Sequence, residues 1–164
     1  MAAKGVAMIT GASRGIGKAT AIALAQAGYD LVLAARTLSP NNRAIENVLD
    51  QQGQPLAGSL EQTESEVKRL GSNAISVPLD LLDKNSINQA IKTATDHFGT
   101  IDILINNAIY QGPGLMSDLL KSDFADIEKT FDANVLAQLY LVRALLPDML
   151  TRSSGTIINL TSEA

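Results

Sequence analysis

Thr10-Gly11-Ala12-Ser13-Arg14-Gly15-Ile16-Gly17 is the stretch from which the architecture is read. Before it lies Val6–Thr10, an apolar run short enough for one buried strand. After it, Ile16, Ala19, Ala23 and Ala27 recur on one face of a helix that begins at about Gly15, and Gly28 stands where helices usually stop. A glycine-rich bend between strand and helix gathers backbone N–H groups and the positive helix end at one point, where a pyrophosphate can sit. One glycine permits the tight turn, one lets the backbone approach the phosphates, and one lets the helix pack closely on the sheet.

Outward from this bend, short apolar runs alternate with segments of helical period, the pattern of βαβ units around a parallel sheet. Asp30–Ala35 is a second strand, too continuously apolar to have a solvent face. Residues 37–58 form a long polar connection in which Ile45, Val48 and Leu49 offer one apolar turn. Ser59 and Gln62 have the spacing of a capping box, and Leu60, Thr63, Val67 and Leu70 give the inward face of the helix they open, closed by Gly71. A third strand is expected over 74–79. Asp83 can cap a helix facing inward through Ile87, Ala90, Ile91, Ala94 and Phe98, stopped by Gly99. A fourth strand over 101–105, with Asp102 ordering its start, a largely continuous long helix over 122–150 and a fifth strand over 156–160 complete the pattern.

Composition narrows the function classes. With 164 residues, of which 46% are hydrophobic, one core-forming domain over residues 1–164 is expected. The net charge of -4 and the lack of a basic tract argue against a nucleic-acid partner. No cysteine is present for disulfides or thiolate metal sites, and His97, the only histidine, cannot form a metal cluster alone; it reads as a solvated residue at a helix end. No apolar run approaches the roughly 18 residues of a membrane span, and no leader is visible, so a cytoplasmic location without membrane contact is expected.

Three motifs in order, the T-G-x-x-x-G-x-G turn, Asn106-Asn107-Ala108 after the fourth strand and Asn134 in the long helix, resemble the short-chain dehydrogenase/reductase family across essentially the whole chain. The resemblance implies a Rossmann-type doubly wound parallel sheet of order 3-2-1-4-5, incomplete at the C-terminus. It implies that Gly11, Ser13, Gly15, Ile16 and Gly17 contact a dinucleotide, that Asp80 with Leu81 meets the adenine ring, and that Asn107 and Ala108 line the cofactor cleft. For Asp80, a capping or loop carboxylate is the alternative. One departure is visible: the family usually has glycine after Asn-Asn-Ala, and this chain has Ile109.

The coenzyme is read from the second strand's end. An NAD site generally places a carboxylate there for the ribose 2′-OH. Here Arg36 occupies it, no Asp or Glu appears between Leu31 and Glu46, and Arg14 sits in the glycine turn. Two guanidiniums suit a 2′-phosphate, so NADP(H) is favoured over NAD(H); a solvated strand-end role for Arg36 is the alternative.

The family's chemistry uses a tyrosine as general acid/base, a lysine four residues on, a serine that orients the substrate oxygen and an asparagine that supports a proton-relay water. A phenol with a pKa of about 10 needs such help near neutrality. By the resemblance, Asn134 is the asparagine and Ser162 the serine, with Thr161 as the neighbouring hydroxyl. The pattern Phe131, Val135, Leu139 suggests a buried Asn134, for which a satisfied core amide is the alternative. Tyr29, Tyr110 and Tyr140 are followed four residues later by Leu33, Gly114 and Ala144, so the Tyr-x-x-x-Lys pair is absent. The chain is therefore expected to be a piece that lacks its acid/base and is inactive alone. Its fifth strand would be an uncovered edge, and the chain alone would aggregate or be partly unfolded. In complete form, a carbonyl or alcohol substrate and a homo-oligomer, dimer or tetramer, are implied, with the long helix in the interface. Tyr110, Gln111 and Met116 fall in a loop that can border the substrate pocket. Two other readings stay open: a non-catalytic NADP-binding subunit with a regulatory or interaction role, and a flavodoxin-like binder of another nucleotide.

Overall fold

The structure, a computed structural model, describes residues 3–39, 57–113 and 118–161. Five parallel strands form one sheet in the order β3-β2-β1-β4-β5: β1 Val6–Thr10, β2 Asp30–Ala35, β3 Ala74–Pro78, β4 Ile103–Asn106 and β5 Thr156–Asn159. Helices α1 Gly15–Gln26, α2 Leu60–Arg69, α3 Lys84–Phe98, α4 Phe124–Phe131 and α5 Ala137–Thr151 connect them. This is the doubly wound order the resemblance implied: all strands run parallel, and the direction in which successive strands are added reverses between β1 and β4.

Strand alternation builds two cores from one sheet. Met8, Val32, Val77 and Leu104 face α3 and α5, where Ile87, Ala90, Ala94, Leu141 and Leu145 meet them. Ala7, Ile9, Leu31 and Leu33 face the other way, onto Ala21 and Ala25 of α1 and Leu60 and Val67 of α2. Each fully buried Leu or Ile contributes roughly 1.5–3 kcal/mol relative to exposure, so these two layers dominate the stabilisation.

Local signals explain the element ends. Ser59 Oγ accepts from Gln62 N at 3.3 Å, which is the forward half of the capping box. Asp83 caps α3 by accepting from Asn85 N at 2.8 Å. After α1, Gly28 takes φ +90°, its N–H donates to Ala25 and that of Tyr29 to Leu24, a Schellman closure that needs a left-handed residue.

Three expectations are corrected. The inward face of α1 is Gly17, Ala21 and Ala25, while Ile16, Ala19, Ala23 and Ala27 are exposed. In so alanine-rich a helix the apolar stripe has little contrast, and the side that approaches the sheet is the one with the smallest side chains. Leu70 of the α2 face is exposed. β4 spans Ile103–Asn106 and not 101–105; before it, the Ile101 carbonyl accepts from Arg152 Nη2 at 3.1 Å. Asp102 does order this start: its carboxylate accepts from Val6 N and from Arg152 Nη1, each at 2.8 Å. Hydrogen bonds to Asp148, then Asp102, hold Arg152 above its ordinary pKa. The long helix is found as expected, helical without a break over 124–151, but it is not α-helical throughout. A π-helical segment, Asp132–Leu136, separates α4 from α5, with Ala137 N donating to Asp132 O five residues back. Ile45, Val48, Leu49, Met116 and the chain end from residue 162 lie outside the described residues.

Candidate dinucleotide cleft

At the carboxyl ends of the strands, where the direction of winding reverses, a cleft of about 370 Å³ opens. Its floor comes from the bend: Gly11, Ser13, Arg14, Gly15 and Ile16 line it, and Gly17 lies buried beneath. One flank carries Arg36 from the end of β2, then Asp80 and Leu81 beyond β3; the other carries Asn107, Ala108 and Ile109 after β4. All the sequence-predicted cofactor residues apart from Gly17 are thus brought to one cavity. Ala35, Leu79 and Leu82 also line it; Ala35 and Leu79 are buried apolar residues at strand ends, and Leu82 lies exposed in the turn beyond β3, so none carries a sequence signal for a site.

The glycines divide the work by geometry. Gly11 has φ +72°, and a Cβ there would stand 2.7 Å from Asn107 Nδ2 and 3.0 Å from Ala108 Cα. A Cβ on Gly17 would meet Gly11 O at 2.3 Å, so this glycine sets how closely α1 approaches the bend. Gly15, at φ +54°, has nothing within 4 Å of its would-be Cβ: it leaves open space beside the N-terminus of α1. That N-terminus has Arg14 as its N-cap residue and no side-chain cap, whereas Ser59, Asp83 and Asp123 cap α2, α3 and α4. An arginine has no acceptor to offer the first-turn N–H groups, so the helix end keeps its positive character toward the cleft.

Thr10, the last residue of β1 and the first of the glycine motif, locks the bend to β4. Its hydroxyl accepts from Asn107 N at 3.0 Å and Ala108 N at 2.9 Å, while Asn107 Nδ2 donates back to Thr10 O at 2.8 Å. Thr10→Val keeps the shape and removes the acceptor, leaving two partly buried N–H groups without it; a destabilisation of about 2 kcal/mol is expected in a urea melt. A loss under 0.5 kcal/mol would refute this role.

Two cations stand at the β2 end. Arg14 Nη2 donates to Thr37 Oγ1 at 3.3 Å. Burial, and then the guanidinium of Arg36, pull Arg14 below the ordinary arginine pKa. Asp80 braces its own loop, with Oδ1 accepting from Leu82 N at 3.0 Å and its N–H donating to Ser86 Oγ at 2.9 Å.

Asn134 falls inside the π-helical segment and is half-buried. Phe131, Val135 and Leu139, expected to bury it, are exposed by 60%, 44% and 57%; the helix turns Ala133, Ala137 and Leu141 inward. The inward line runs in regular four-residue steps through Ala133, Ala137, Leu141 and Leu145, and the larger apolar side chains Phe131, Val135 and Leu139 lie off it. Asn134 Oδ1 accepts from Tyr110 N at 2.7 Å and its Nδ2 donates to Tyr110 O at 3.1 Å, so the carboxamide clamps the loop after β4. Asn106 is fully buried, and its Nδ2 donates to Asn159 Oδ1 at 2.8 Å, tying β4 to β5. Ser162 lies outside the described residues. Among the described residues there is no group of three or more metal-ligating side chains, and no helix is long and apolar enough to cross a membrane.

A parallel sheet of this order, with a glycine bend at the switch point and an uncapped helix end facing the cleft, defines a Rossmann-type nucleotide-binding fold. The chain belongs to the short chain dehydrogenase family, whose family model matches residues 5–58 and 54–164. Ketoacyl reductase HetN of Nostoc sp. is 34% identical over 157 residues, covering 96% of this chain and 47% of that protein. A 3-oxoacyl-[acyl-carrier-protein] reductase of Synechocystis sp. is 35% identical over 161 residues, 97% of this chain and 56% of that one. The chain thus spans about half the length of these curated relatives. Among solved structures, a metagenomic short-chain oxidoreductase in complex with NADP superposes with a TM-score of 0.78 at 30% identity, covering 99% of this chain and 64% of that one. An NAD+-bound xylitol dehydrogenase gives 0.77 at 26% identity, covering 98% and 54%.

Proposed function

We propose that the cleft holds NADP(H), and that the chain is the coenzyme-binding portion of an oxidoreductase acting on a carbonyl or alcohol. The observation that carries this reading is the convergence of Arg14 and Arg36 at the β2 end, where an NAD site would present a carboxylate. Likeness alone does not choose the coenzyme, since one similar structure holds NADP and another NAD+. The donor set fits the larger anion: the α1 terminus and the space beside Gly15 suit a pyrophosphate, and the two guanidiniums suit a 2′-phosphate. When bound, the coenzyme would give a hydride to a carbonyl or take one from an alcohol. In this reading Asn134 is a positioning residue that fixes the loop after β4. No tyrosine of this sequence is followed by lysine four residues on, so the acid/base of the proposed chemistry is not among these residues. Ser162 orients the substrate oxygen by family likeness.

The test is a fluorescence titration with NADPH and NADH at low and high salt. NADPH is expected to bind more tightly by at least about tenfold, with the gap narrowing as salt screens the guanidiniums. Equal affinities at low salt would remove the basis for the NADP assignment. The exposed apolar side chains of the α4–α5 face, Phe131, Leu136, Leu139 and Leu150 among them, further support association with a second copy. Sedimentation is the check, and a monomer at all concentrations would exclude it.

A further inference from the structure

Ile109 stands out among the cleft residues. Its neighbours are anchored on both sides: Ala108 N donates to Thr10 Oγ1 at 2.9 Å, and Tyr110 gives both its N–H and its carbonyl to Asn134. The backbone that carries Ile109 is therefore fixed from two elements, yet its side chain is 52% exposed and lines the cavity. A β-branched side chain has few χ1 states to lose, so this apolar surface is presented ready to be covered. Nothing in the sheet or helices requires it, because the cores are filled by other residues.

Its place in the fold says which part of a ligand would cover it. In a doubly wound sheet the pyrophosphate sits at the glycine bend and the adenine-side ribose at the end of β2. Arg36 and Asp80 are on that side; Ile109 follows β4, on the opposite flank of the bend. From this geometry we infer that Ile109 is a specificity-determining residue, an apolar seat for the nicotinamide half of the dinucleotide. This rests on the NADP(H) reading above. The dihydronicotinamide ring is uncharged, whereas the oxidised ring is a cation that gives up more hydration on reaching an apolar wall. The seat therefore favours the reduced coenzyme.

The experiment compares three ligands on the purified chain and on Ile109→Ala: NADPH, NADP+ and adenosine 2′,5′-bisphosphate, which carries the 2′-phosphate but no nicotinamide. Expected for Ile109→Ala is a loss of about tenfold in NADPH affinity, a smaller loss for NADP+, and an unchanged bisphosphate affinity that also certifies the fold. Ile109→Val, one methylene shorter, should give a smaller loss in the same order. Unchanged NADPH binding in both variants overturns the inference, as does an equal loss for NADPH and the bisphosphate, which would assign Ile109 to the frame of the loop. If the unaltered chain binds the bisphosphate but Ile109→Ala does not discriminate, the inference alone fails. If it binds none of the three, the NADP(H) reading fails first.

Discussion

Arg36→Asp is expected to weaken NADPH binding by about 100-fold or more and to bring NADH to equal or better affinity. The loss has two parts. A guanidinium that can give charge-assisted, bidentate bonds to a 2′-phosphate is removed, and a carboxylate that repels the same phosphate replaces it. That carboxylate is also the acceptor a bare ribose 2′-OH needs. The fold should tolerate the change, because Arg36 is half-buried at a strand end and outside both cores. It should even relieve Arg14, whose pKa is lowered in part by the adjacent Arg36 charge. A melting temperature at or slightly above that of the parent, together with an inverted ratio of NADPH to NADH dissociation constants, is the expected pair of results. An unchanged ratio would mean that Arg36 is a solvated bystander.

Much of the fold was legible because most elements carry their own local signal. β1 is an apolar run between Gly5 and Gly11, β2 is one that follows Gly28 and stops at Arg36, and α2 and α3 announce themselves with Ser59 and Asp83 as caps and with three or four apolar positions in phase. The floor of the cleft was legible in the glycine spacing between strand and helix, and Arg36 in its place at the end of β2, whereas Asp80, Leu81, Asn107 and Ala108 were reached only through the family resemblance. What stayed hidden depends on tertiary relations. The inward face of α1 was misjudged because alanine and glycine, not the larger Ile16, meet the sheet; exposure of Ile16 at 66% follows from its position over the cleft. The π turn that aims Asn134 at Tyr110 leaves no mark in a sequence scanned at 3.6 residues per turn. The contact of Thr10 with Asn107 forms only when β4 arrives beside β1, a separation of 97 residues in the chain.

The two glycines of Gly15-Ile16-Gly17 should separate stability from ligand binding when each is replaced by alanine. On Gly17 the new methyl would stand 2.3 Å from Gly11 O and 2.6 Å from Asn107 Nδ2. Neither atom is the loose end of a side chain: one is backbone in the bend, and the other is hydrogen-bonded to Thr10 O at 2.8 Å. Either α1 withdraws from the sheet or the Thr10–Asn107 lock opens, so overpacking and lost hydrogen bonds add. A destabilisation of about 3 kcal/mol or more is expected, a fall of roughly 6–12 °C in melting temperature for a chain of this size. On Gly15 the methyl meets nothing within 4 Å, and the cost is that of holding alanine at φ +54°, about 1 kcal/mol. That methyl nevertheless projects into the space where a pyrophosphate would approach the first turn of α1, so dinucleotide affinity should fall at least tenfold while the melt barely moves. If Gly15→Ala and Gly17→Ala melt alike, the close approach of α1 to the bend is not what holds this end of the sheet together. If Gly15→Ala binds NADPH as tightly as the parent, the anion does not sit at the helix end.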